Sequence, residues 1–254
     1  MTDASPAPLH AAQRPGPAGG RPGWGLGDAA FGWALAQFCA MVAALSLAAA
    51  FGYSRQDLAD NDVSLTFTAL QFPPLWLGFI GVPVWAAATK GAGWVADFRV
   101  RLRAIDVPFG AVAGAAAQYI LVPLVSLPIL WLSNTDLDKL SEPAKQLGAK
   151  ATSPATVVLL FLMVAVGAPI AEEIFFRGLL LRALEKRFGT AWAVAGSSVV
   201  FGATHFQVLQ FPALTAAGVV FALLAVRTDR LGPAIVAHMA FNAVTVVSIV
   251  WVAT

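Results

Sequence analysis

Long apolar runs decide what this chain can become. Ala29–Phe51, Leu65–Thr89, Phe109–Leu132, Ala155–Leu181, Thr190–Phe206, Pro212–Val226 and Pro233–Trp251 are strongly apolar throughout. About 20 such residues in a helix cross the roughly 30 Å hydrocarbon core of a bilayer. The whole chain agrees: 58% of residues are hydrophobic and 12% charged, with a mean hydropathy of +0.74, where a soluble domain carries roughly 25% charged residues. The expected fold is therefore all-α, a multi-pass transmembrane helix bundle of about seven spans. The fifth and sixth runs are its shortest.

Residues 1–27 are rich in Pro, Gly and Ala without a periodic apolar face, so a disordered N-terminal tail is expected there, followed by one transmembrane domain over residues 28–254. The first run lies too far from the N-terminus and is too long for a signal peptide, and reads as a retained span. Lys90, Arg99, Arg101 and Arg103 fill one connection, Arg182, Lys186 and Arg187 a second, and Arg227 and Arg230 a third. These alternate with an acidic loop (Asp57, Asp60, Asp62), a mixed one from Ser133 to Pro154 and an uncharged one near Gln210. Positive connections face the cytoplasm, which puts the N-terminus inside and the C-terminus outside. Trp94, Trp131, Trp192 and Trp251 stand near run ends, where amphipathic rings meet the interface. A net charge of +2 gives no basis for nucleic-acid binding, and the single Cys39, in an apolar run, excludes an intrachain disulfide.

Six polar side chains interrupt the apolar second half: Glu172, Glu173, Arg177, His205, His238 and Asn242, with Phe201 one turn before His205. Ionisable groups at membrane depth are costly and mark function by default. The chain has only three histidines and four glutamates, so two of each in this region is not a scatter. Glu173 and Arg177, four apart, share a helix face and can neutralise one another. Glu172 points about 100° away and has no partner on its own helix. Counted from a turn near Phe188, Glu172 and His205 lie at similar depth on antiparallel helices, each displaced roughly 25 Å. His238 and Asn242 share one face of the last span.

A buried carboxylate can take a proton from water while a neighbouring imidazole holds that water. An imidazole and an amide can together donate to the oxyanion formed when hydroxide attacks a peptide carbonyl. That set describes a hydrolase without a covalent intermediate. Ser197 and Ser198 lack a Gly-x-Ser-x-Gly setting and read as small packing residues rather than nucleophiles. A transporter or proton relay using the same Glu and His is the alternative from another class, but paired repeats with broken helices are not evident.

The ordered set Glu-Glu-x-x-x-Arg, Phe-x-x-x-His and His-x-x-x-Asn, over residues 155–254, resembles the CAAX-processing and bacteriocin-processing (CPBP, or Abi) intramembrane proteases. The resemblance implies a CAAX-type endopeptidase in which Glu172 activates water with His205 as its partner. It makes His238 and Asn242 the oxyanion site, and Glu173, Arg177 and Phe201 supporting residues. It also implies a peptide or membrane-associated protein substrate, prenylated in the eukaryotic branch, reaching the site from the cytoplasmic side. Bacteriocin immunity is a non-proteolytic alternative within the same resemblance. No cofactor is favoured; a zinc-dependent version would use Glu172, His205 and His238 as ligands with water in the fourth position. The Ala- and Gly-rich sequence, with Arg outnumbering Lys, fits a bacterial plasma membrane protein.

Overall fold

The computed structural model describes residues 22–253; the expected tail over residues 1–21 and the side chain of Trp251 lie outside the described residues. All regular structure described is helical. Six helices are long and apolar enough to cross a membrane: α1 (Leu26–Phe51), α2 (Leu65–Lys90), α3 (Asp106–Ser133), α5 (Pro154–Phe188), α7 (Phe211–Thr228) and α8, which runs Gly232–Ala253. Between them lie α4 (Leu137–Ala149), an amphipathic helix on one face, and α6 (Thr190–Ala203), apolar but only 14 residues long. The seven expected spans are thus six long helices and one short one. At 1.5 Å per residue α6 covers about 21 Å, less than a bilayer core. Its far end, and His205 just beyond it, stop within membrane depth rather than at the opposite surface.

Contacts between loops sort the connections into two faces. On the basic face, Arg99 pairs with Asp229, and the Arg230 guanidinium donates to the buried Asp106 carboxylate at 2.6–3.0 Å. Backbone bonds Leu231 N to Arg99 O (3.0 Å) and Gly232 N to Arg101 O (3.1 Å) stitch the same loops. On the opposite face, Lys150 donates to Asn61 O and Val63 O, and Gln210 to Leu140 O. At 35 residues α5 is longer than a bilayer is thick, and its overhang carries Arg182, Glu185, Lys186 and Arg187 onto the basic face. Trp131, 82% exposed, and the exposed Trp94 and Trp192 lie near helix ends.

Residues just ahead of α1 are packed against the body of the protein. Gly23 N bonds Lys90 O at 2.6 Å, and Trp24 is buried with its indole donating to Asp97 and its ring 5.0 Å from Phe98. The ammonium of Lys186 sits 3.1 Å from the Trp24 ring centre and donates to the carbonyls of Pro22 and Trp24. Composition alone reads residues 22–27 as tail because one tryptophan among glycines is a weak signal; its burial anchors the segment.

Three helices widen locally into i→i+5 turns, at Leu77–Gly81, Ala117–Leu121 and Phe161–Gly167, and in each the second residue after the turn is a proline: Pro83, Pro123 and Pro169. Proline lacks an N–H and its ring crowds the carbonyl four residues back, so widening keeps the helix continuous. A fourth wide turn, Ile174–Leu180, follows Glu173 directly. The two acids therefore sit in a short α-helical piece, Ala168–Glu173, between two wide turns of α5.

Helix α3 packs along α8 through Gly110 and Gly114. A Cβ at Gly114 would lie 2.0 Å from the Ala237 carbonyl oxygen, and one at Gly110 2.7 Å from the Val236 side chain. Such small-xxx-small spacing lets helix backbones approach in a membrane. Ala237 immediately precedes His238, so the first half of the chain sets where that imidazole stands. Gly114→Val is expected to destabilise the protein by about 2 kcal/mol or more through overpacking, whereas Val112→Ala, on the 70% exposed side of the same helix, should leave thermal unfolding in detergent unchanged; equal behaviour of the two variants would contradict this packing.

Candidate active site

Glu173 is the acceptor around which the site is assembled. Its Oε1 receives Arg177 Nη1 at 2.8 Å from one turn along α5 and His238 Nδ1 at 2.9 Å from α8. Arg177 Nη2 donates to the Gly218 carbonyl of α7 at 3.0 Å, so one wholly buried ion pair ties three helices. Gly218 is itself a close-approach position, where a Cβ would stand 3.1 Å from the Ser198 side chain of α6. Glu173 Oε2 and Arg177 Nε are buried without a hydrogen-bond partner among the described residues. The i,i+4 spacing seen in the sequence accounts for the pair; nothing in it identifies the Gly218 carbonyl.

Aromatic rings close the remaining sides of the guanidinium, which lies 4.4 Å from the Phe201 ring centre and 5.4 Å from that of Phe221. Phe221 also stacks on His238 (4.7 Å, 17° between planes), and Phe201 meets the same imidazole edge to face at 5.4 Å. These contacts exclude water and strengthen the electrostatics of the cluster. Phe201 lay within the expected motif; Phe221, in α7, carried no signal beyond being one of many apolar residues.

Glu172 stands apart from the ion pair. Its side chain is 17% exposed while that of Glu173 is fully buried, and its Oε2 faces His238 Nε2 at 3.8 Å. The imidazole within ion-pair range of Glu172 is thus His238, where the sequence reading gave that place to His205. His205 instead packs on Phe201 (4.9 Å), with Nδ1 donating to the Phe201 carbonyl at 2.8 Å. Both histidines therefore commit Nδ1 to an oxygen acceptor, which leaves each Nε2 for other work. Asn242, one turn beyond His238, donates through Nδ2 to the Val164 carbonyl at 2.8 Å, keeping its second amide hydrogen. Ser197 and Ser198 are buried and donate to the Val194 carbonyl of their own helix.

Among the described residues, no three His, Cys, Asp or Glu side chains are grouped so as to hold a metal ion.

Comparison with known proteins finds similarity over this part of the chain. Residues 154–244 match the family model described as type II CAAX prenyl endopeptidase Rce1-like, a segment that runs from the start of α5 into α8 and includes every residue of the cluster. The "Putative membrane peptidase YdiL" of Bacillus subtilis (strain 168) is 35% identical over 91 residues, 36% of this chain and 37% of that protein. The match thus spans little more than a third of the curated relative. No solved structure matches the chain. Residues 154–244, which carry the ordered Glu-Glu-x-x-x-Arg, Phe-x-x-x-His and His-x-x-x-Asn residues, are thus similar to the Rce1-like type II CAAX prenyl endopeptidases, in a chain with six apolar helices long enough to span a membrane.

Proposed function

We propose that the protein is an intramembrane endopeptidase that hydrolyses a peptide bond with water activated by Glu172. The observation that carries this reading is the inequality of two adjacent carboxylates: Glu173 is consumed by Arg177 and His238, while Glu172 is partly exposed and faces the His238 imidazole at 3.8 Å. Two acids with different surroundings are suited to different tasks.

Water bound near Glu172 loses a proton to that carboxylate as its oxygen adds to the scissile carbonyl. His205, whose Nδ1 is tied to Phe201 O, offers Nε2 to hold the water. The negative oxygen that forms is met by His238 Nε2–H and by the spare Nδ2 hydrogen of Asn242. Donation from Nε2 calls for the imidazolium, since Nδ1–H is already given to Glu173. When the tetrahedral species collapses, the proton held by Glu172 passes to the leaving nitrogen, and the carboxylate is restored. No step draws on a metal.

The substrate is a peptide or membrane-associated protein, and prenylated C-terminal peptides are the first class to try, because the matched family is named for them. The membrane is a bacterial plasma membrane with the basic face toward the cytoplasm. Glu172→Gln should lower cleavage of a fluorogenic farnesylated peptide at least about 100-fold while the purified protein keeps its melting temperature; undiminished cleavage would remove Glu172 as base. Glu173→Ala is expected to behave oppositely, costing about 3–5 kcal/mol of stability by leaving the Arg177 charge buried and unpaired, which thermal unfolding in detergent reads directly. Activity should survive dialysis against a strong chelator, and loss restored by added zinc would overturn the metal-free mechanism.

A further inference from the structure

Proline 169 and Asn242 are partners across two helices. In the wide turn Phe161–Gly167 the amide of Ala168 bonds Met163 O, five residues back. The next amide in that register, which would serve Val164 O, belongs to position 169, and proline has none. The regular α-helical donor to Val164 O is Ala168, already given to Met163. Val164 O is thus left without a backbone donor at membrane depth, where an unmet carbonyl is costly. The atom that reaches it is Nδ2 of Asn242 on α8, at 2.8 Å.

We propose that Pro169 is a positioning residue: by deleting one N–H it creates the acceptor that Asn242 fills, and the resulting bond fastens α8 to the turn of α5 that presents Glu172. Pro169 is buried and three residues before Glu172, and Asn242 is one turn from His238, so the bond spans the two halves of the cluster. It fixes one amide hydrogen of Asn242 and leaves the other to donate elsewhere. The same proline pattern follows the wide turns of α2 and α3, at Pro83 and Pro123. Among the described residues, it is at Pro169 that the freed carbonyl meets a side chain of the active-site cluster.

This inference deepens the peptidase reading, but its first test needs no substrate. Thermal unfolding of the full chain in detergent is measured for wild type, Asn242→Ala, Pro169→Ala and the double variant. Asn242→Ala should lower the melting temperature by roughly 4 °C by orphaning Val164 O. In the Pro169→Ala background, where residue 169 supplies the missing N–H, the same change should cost less than half as much. Equal losses in both backgrounds, or no loss in either, would overturn the pairing. Pro169→Leu, which also restores the N–H, takes the place of the alanine variant should that one not accumulate. The second test is kinetic: with a peptide that wild type cleaves, Pro169→Ala should lower kcat about 10-fold or more with KM unchanged, because Glu172 and Asn242 lose their mutual aim. An unchanged kcat would refute the positioning role, whereas failure of wild type to cleave any peptide would count against the peptidase reading and leave the unfolding result standing.

Discussion

A carboxylate and a guanidinium inside a membrane are each expensive, by about 2.5–3.5 kcal/mol at a span centre on insertion scales, and they are tolerable here because one oxygen of Glu173 collects two donors. Arg177 and His238 both end on Oε1, and Arg177 reaches on to the Gly218 carbonyl. Three helices gain a specific register from this junction. Lipid tails provide no hydrophobic force to order them, so close packing and polar contacts must do so. Once Glu173 is committed, the neighbouring Glu172 is the carboxylate left partly exposed and facing the imidazole. A structural requirement and a chemical one are thus divided between two consecutive residues.

Imperfect helices make that division possible. Two wide turns bracket the Ala168–Glu173 segment, and a short α6 stops within the membrane. The first turn follows from Pro169; for the second, Ile174–Leu180, the structure offers no proline and no evident cause. Wide turns of this kind occur often at functional sites. Beyond Ala203, His205 lies in a turn whose next residue, Phe206, has φ of +55°, an uncommon conformation for a bulky side chain. Non-helical backbone at this depth is tolerated where protein or a cavity surrounds it, as the packing of His205 against Phe201 provides.

Much of this was legible in the sequence, for definite reasons. Hydropathy located the long apolar helices within a few residues, apart from the charged overhang of α5 beyond Leu181, because a bilayer enforces length as well as polarity. The Glu173–Arg177 pair followed from helical spacing, and the shared face of His238 and Asn242 likewise. What the sequence could not supply were acceptors that are not side chains: the Gly218 and Val164 carbonyls have no letter of their own. A depth counted along a straight helix takes no account of the wide turns of α5, and the imidazole of His238 on α8 stands within ion-pair range of Glu172. The role of the first half was hidden for a similar reason, since Gly110 and Gly114 read as ordinary small residues until the backbone of α8 is seen against them.

The histidine tautomers report the central claim most directly. With only three histidines in the chain, nitrogen-15 NMR of histidine-labelled protein in nanodiscs can resolve the His238 ring, with His238→Gln as the assignment control. The expected spectrum has Nδ1 of His238 protonated and hydrogen-bonded, and this signal should move on Glu173→Gln while that of His205 stays. A His238 ring protonated only at Nε2, or one indifferent to Glu173, would contradict the account.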